Sequence, residues 1–240
     1  MDFNKTNWAR PEFSREYRDN ADIFIVERGR LFDIMKSFYG YFINGNEQKH
    51  ILDLGCGDGI VTHHLLEIDN SISATLVEPS ADMMNKAKER LAGANNITYV
   101  QASFQDLLTS GIVHQDFDFI VSSMAIHHLD MGDKKRLFNF IFSHLKHGGY
   151  FMNIDTVLPP AVSLENWYFR MWNEWVDQKK TALGLERDLF RDLTRRYKDA
   201  DENKPDTLYD QLNALKETGF GEVDCYYKYG IFSVFGGKKE

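Results

Sequence analysis

Ile51-Leu52-Asp53-Leu54-Gly55-Cys56-Gly57-Asp58-Gly59 is the stretch that decides the fold of this chain. A short apolar run opens into glycines at alternate positions, and residues at helical spacing follow at once in Ile60, Val61, His64 and Leu65. That pattern reads as a strand, a tight turn and a helix start. Glycines in such a turn admit backbone conformations closed to other residues and let a ligand approach the main chain closely. Further on, Leu76-Val77-Glu78-Pro79 places a carboxylate at the end of the next apolar run. An acidic side chain there, about 20 residues after the glycine turn, accepts the hydroxyls of a ribose.

The spacing separates the nucleotide-type ligands that use this geometry. Dinucleotide binders require G-x-G-x-x-G, with the third glycine inside the helix for close packing on the strand. Here the glycines fall at 55, 57 and 59, and Ile60 takes the place of the third one. Asp53, just before the turn, sits badly beside a pyrophosphate and suits a cationic ligand carrying an ammonium and a sulfonium. The turn together with Glu78 resembles the cofactor site of class I S-adenosylmethionine-dependent methyltransferases. A nicotinamide-dependent oxidoreductase and a non-catalytic cofactor-binding protein are the rival readings.

Working outward, residues 51–156 alternate strand and helix, with strands at 50–54, 74–78, 97–101, 117–122 and 149–155 and helices at 60–68, 80–92 and 132–145. Ser80 is the expected N-cap of the second of these helices. Such alternation predicts a parallel sheet with helices on both faces. Residues 21–44 carry apolar side chains at helical spacing, whereas 1–20 show no clear period. After Pro159-Pro160 a long aromatic and charged helical stretch runs to about 200, followed by a polar linker, a helix at 207–218 and a strand pair at 222–229 and 231–236. The expected organisation is an N-terminal helical cap at 1–47 and an α/β domain at 48–240. That domain carries a helical insertion at 158–206, placed where a substrate lid stands.

The chain has 240 residues, 43% of them apolar, which suits one large α/β domain. Its net charge of −8 and lack of any long basic run argue against nucleic acid as a substrate. Two cysteines, Cys56 and Cys225, do not make a disulfide framework. No secretion signal and no run of about 18 apolar residues is visible, so the expected location is the cytoplasm, with no membrane contact. A monomer or a homodimer fits.

The family resemblance extends to Phe117-Asp118-Phe119-Ile120-Val121-Ser122-Ser123, to Leu145-Lys146-His147-Gly148-Gly149-Tyr150-Phe151 and to Leu215-Lys216-Glu217-Thr218-Gly219-Phe220. It implies a Rossmann-like seven-stranded sheet, mostly parallel with an antiparallel last strand, at one edge, that comes from the final hairpin. It also implies S-adenosyl-L-methionine as cofactor, S-adenosyl-L-homocysteine as product and a small-molecule methyl acceptor. Position by position, Gly55, Cys56 and Gly57 are expected along the methionine half, Glu78 on the ribose, and Pro79 and Met83 against the adenine. Ser103 falls where such enzymes usually carry an aspartate, Phe104 follows as an apolar wall, and Ser123 meets the amino-acid portion. Candidate catalytic residues are His128 in the pair His127-His128, Asp155 at the end of the fifth strand, and Tyr17 in the N-terminal segment. Adjacent helical residues diverge by about 100°, so the two histidines are not expected to chelate one metal. The Trp167–Trp175 cluster reads as lid core. The stretch 189–220 also resembles carboxy-S-adenosylmethionine synthases, relatives that modify the cofactor for tRNA wobble-uridine chemistry. In that resemblance Arg196 falls on the arginine that holds the extra carboxylate.

Overall fold

The computed structural model describes residues 3–45, 47–185, 197–198 and 200–240. The strands are β1 (His50–Leu54), β2 (Ser73–Val77), β3 (Ile97–Val100), β4 (Phe117–Ser123), β5 (Leu145–Thr156), β6 (Gly221–Tyr229) and β7 (Phe232–Lys238). They form one sheet in the order β3-β2-β1-β4-β5-β7-β6. β1 to β5 are parallel, and β7 runs antiparallel to both β5 and β6.

Successive strand side chains point to opposite faces, and each face has its own core. Ile51, Leu76, Phe119 and Met152 pack beneath α1 (Pro11–Phe24), α2 (Arg28–Phe42), α3 (Ile60–Leu66), α4 (Ala81–Arg90) and α7 (Val162–Leu183). Their neighbours Leu52, Val77, Ile120 and Phe151 pack beneath α5 (Phe104–Ser110), α6 (Met131–His144) and α8 (Leu208–Thr218). The near-continuous burial of β1 and β4 follows from this, because both of their faces are covered.

The last strand is antiparallel as expected, but it does not lie at the sheet edge. β7 is inserted between β5 and β6, and β6 is the edge. The composition explains the order. β7 is buried along almost its whole length, whereas β6 carries Glu222, Asp224 and Lys228 at exposed positions, as an outer strand does. Gly236 makes the insertion possible: a Cβ there would lie 1.9 Å from the carbonyl oxygen of Phe151.

Three local readings change. A helix, α5, follows β3 where none was expected; Ser103 and Asp106 form a capping box at its start. α1 begins at Pro11, within the stretch that showed no period, with proline in its first turn. β5 begins at Leu145, so Lys146-His147-Gly148-Gly149 lies in the strand rather than in a preceding turn. α7 is fastened to α1: the indole nitrogens of Trp172 and Trp175 donate to the carbonyls of Phe24 (2.7 Å) and Ile23 (3.1 Å). Leu189, Phe190, Leu193 and the candidate Arg196 lie outside the described residues. Among those described, no helix is long and apolar enough to cross a membrane.

Candidate active site

The turn after β1 is built from the main chain outward. Gly55 and Cys56 both donate their N–H to the carbonyl of Val77, at 2.9 and 3.0 Å, which ties the turn to the end of β2. Gly55 has φ +67°, and a Cβ on it would sit 2.5 Å from that of Ala125, so no side chain fits. The carboxylate of Glu78 then bridges two segments. One oxygen accepts from Gly57 N (3.0 Å) and the other from Ser80 N (2.9 Å). Ser80 caps α4 as expected, its hydroxyl accepting from Met83 N at 3.4 Å.

These groups open on a cavity of about 1140 Å³, continuous with solvent. Of the residues singled out in the sequence, Gly55, Cys56, Gly57, Glu78, Pro79, Met83, Ser103, Phe104, Ser123, Tyr17 and His128 line it together. Two do not. Asp53 is fully buried behind the turn, where one oxygen accepts from the hydroxyl of Thr62 (2.7 Å) and the other has no partner among the described residues. Asp155 is buried beneath His127, accepting from His127 N (2.9 Å), from its ring Nδ1 (2.6 Å) and from Thr156 N (2.9 Å). It holds His127 in place and does not face the cavity. Ser103 lines the cavity, but its hydroxyl is committed to the capping box, donating to Asp106 (2.7 Å) and accepting from Asp106 N (3.1 Å).

The sequence reading missed the roof. Phe3, Thr6, Trp8, Arg28, Met124 and Glu202 also line the cavity. Asn7 donates to the Glu202 carboxylate from both its main-chain N (2.8 Å) and its side-chain Nδ2 (2.9 Å). The Glu202 segment is itself anchored by buried Lys134, whose ammonium donates to the carbonyl of Lys204 (2.6 Å) and to Asp206 (2.5 Å). Trp8 stands edge-on to Tyr17 (5.0 Å) and His128 (5.7 Å). Met124 holds φ +54° at the end of β4, a strained conformation for a non-glycine residue and one that clusters at functional sites. Residues 199–205 looked like a solvated linker, and nothing in their composition marked Glu202. Glu202→Ala should release the N-terminal segment, because two hydrogen bonds to a charged acceptor are lost. The expected results are faster tryptic cleavage after Lys5 and ligand binding weaker by about 1–2 kcal/mol.

Burial pushes the carboxyl groups of Glu78 and Asp53 up to about 7 each. For Glu78 the main-chain donors Ser80 and Gly57 oppose that push, and the charge of Asp53 adds to it. Burial likewise raises Tyr17 to about 12 and lowers His128 to about 3. Because both acids are raised above their unfolded values, their contribution to stability is full at low pH and is lost as pH rises through about 7. A ligand that needs Glu78 ionised shows the opposite trend. Its affinity should rise from pH 6 to pH 8 and then level off, by at most about tenfold per pH unit for each proton released. Calorimetric titration across that range measures the slope. Among the described residues, no group of three or more His, Cys, Asp or Glu side chains is placed to hold a metal.

Comparison with known proteins agrees with this geometry. Residues 51–149 match the family described as a methyltransferase domain. Phosphoethanolamine N-methyltransferase of Plasmodium falciparum is 30% identical over 138 residues, covering 58% of this chain and 49% of that protein. Carboxy-S-adenosyl-L-methionine synthase of Staphylococcus epidermidis is 19% identical over 236 residues, 97% of each chain. Among solved structures, human N-acetylserotonin methyltransferase in complex with S-adenosylmethionine superposes with a TM-score of 0.61 at 14% identity, covering 95% of this chain and 56% of that one. The chain spans about half the length of most of the curated relatives it matches. The fold, with its antiparallel β7, is that of the class I S-adenosylmethionine-dependent methyltransferases. The stretch that matches the methyltransferase-domain family runs from β1 into β5.

Proposed function

We propose that this protein is an S-adenosylmethionine-dependent methyltransferase acting on a small-molecule acceptor. The observation that carries the reading is the buried Glu78 carboxylate, held by Gly57 N and Ser80 N at the wall of the main cavity. It is a charged acceptor beside a side-chain-free turn, which fits a ribose and the backbone-hugging tail of a nucleoside amino acid. The main chain of Gly55, Cys56 and Gly57 would hold the methionine half. Pro79, Met83 and Phe104 would wall the adenine, and Ser123 would meet the amino-acid end.

When bound, the cofactor supplies a methyl group already activated by the sulfonium charge. What remains for the protein is positioning and exclusion of water, with a base needed only for an acceptor that carries a proton. Two buried carboxylates near the turn, Asp53 and Glu78, favour a cationic ligand over a dianionic pyrophosphate. The N-terminal cap at 1–47 and the insertion at 158–206 are read as the segments that select the acceptor. Trp8, Tyr17 and Glu202 support that reading by lining the roof.

A second reading rests on the end-to-end likeness to a carboxy-S-adenosyl-L-methionine synthase. Mass spectrometry of the small molecule that co-purifies distinguishes the two. S-adenosylmethionine or its demethylated product supports methyl transfer, and a carboxylated analogue supports the synthase reading. Titration with S-adenosylmethionine and with NAD(H) tests the class: tight NAD(H) binding without S-adenosylmethionine binding overturns it.

A further inference from the structure

A second cleft, of about 750 Å³ including space open to solvent, adjoins the first and shares Trp8, Tyr17, Met124, His128 and Glu202 with it. Its remaining walls are mostly aromatic: Phe13, Phe24, Trp172, Tyr197 and Phe232. Its further polar walls are His127, Thr156 and Asn203, none of which lines the first cavity, and of these only the histidine can take up a proton. We propose that this aromatic cavity is the acceptor site, and that His127, held by Asp155, is the base that takes the proton of a hydroxyl group on an aromatic acceptor. The proposal rests on the methyltransferase reading above.

The orientation of His127 is fixed on three sides. Its main-chain N–H and its ring Nδ1 both meet the Asp155 carboxylate, at 2.9 and 2.6 Å, and its carbonyl accepts from Lys204 N at 2.7 Å. Asp155 is held below the usual carboxylate range: burial pushes it up, but the charge and hydrogen bond of His127, the N–H of Thr156 and the charge of Lys134 outweigh that. An ionised carboxylate accepts only, so Nδ1 donates to it and Nε2 is the ring nitrogen left for the cavity. No described residue hydrogen-bonds Nε2, and the ring lines the cavity. The groups facing His127 from the packed elements are Asp155 of β5, His128 of its own turn, Tyr17 of α1, Tyr197 and Glu202, with Lys134 of α6 beyond Asp155.

The ring of His128 is engaged elsewhere. Its Nδ1 donates to the carbonyl of Glu202 at 3.0 Å, and burial depresses its proton affinity strongly. Flat aromatic walls favour a flat aromatic guest. A neutral amine attacks without help, whereas a hydroxyl must lose its proton as its oxygen is alkylated, and that is the task a paired histidine performs. His127 takes the proton at Nε2, an oxygen lone pair forms the bond to the methyl carbon, and the carbon–sulfur pair departs on sulfur. The products are a methyl ether, a neutral thioether and an imidazolium that returns its proton to water.

The test uses 4-nitrophenol, whose phenolate absorbs visible light, added to the intact protein saturated with S-adenosylhomocysteine. In the wild type the bound probe should ionise more readily than free probe, by about tenfold in its ionisation constant, which is about one pKa unit. H127Q should bind S-adenosylhomocysteine within twofold of wild type and lose that spectral shift. With any phenol found to be methylated, H127Q should lower kcat by about 100-fold, with KM little changed and partial rescue at alkaline pH. S-adenosylhomocysteine binding without probe binding, a bound probe that ionises no more readily than free, or the same shift in H127Q overturns the proposal and leaves the cofactor reading standing. Absence of S-adenosylhomocysteine binding overturns the cofactor reading instead. If H127Q does not fold, the wild-type titration alone decides.

Discussion

Glu78→Ala should weaken the binding of S-adenosylmethionine by about 1.5–3 kcal/mol, the worth of hydrogen bonds to a charged acceptor. Two effects act together. In the proposed site the ribose hydroxyls would lose their acceptor, and the N–H groups of Gly57 and Ser80, which now end on the carboxylate, lose their partner. The second loss loosens both the turn after β1 and the entry to α4. Glu78→Gln separates the two, because an amide oxygen still accepts from one main-chain N–H but carries no charge. Calorimetric titration of both variants should rank wild type, Gln and Ala in falling order of affinity. Equal affinity for wild type and Ala would mean that the ribose lies elsewhere.

Gly236→Ala should destabilise the fold by about 3 kcal/mol, at the upper end of the range for overpacking. A Cβ at this position would stand 1.9 Å from the Phe151 carbonyl oxygen and 3.1 Å from the Met152 Cα. Neither is the movable tip of a side chain. Residue 236 pairs with Met152 of β5 on one side and with Asp224 of β6 on the other. β7 must therefore shift away from β5, and the edge strand moves with it. Urea unfolding should show the loss as a lower midpoint. An unchanged midpoint would mean that β7 tolerates a side chain where it crosses β5.

The parts of the fold that were legible share a cause. The apolar runs of β1 and β4 and the helices after them are written locally, in strand-length stretches and in the Ser80 cap. The glycine turn and Glu78 could be read because main-chain geometry dictates residue type there. What was not legible depends on long-range pairing. Whether the final hairpin ends the sheet with β6 or with β7 is decided by which strand finds β5, and only the contrast between charged β6 and apolar β7 hints at it. Asp155 looked like a group facing a cleft because it ends a strand; its burial under His127 comes from a turn 28 residues earlier. Glu202 and Asn7 are 195 residues apart, and no periodicity links them.

Trp8 borders both cavities, and its neighbour Asn7 is the residue that grips Glu202. One indole therefore walls both compartments, and a substitution at Trp8 reshapes the larger cleft and the aromatic chamber together.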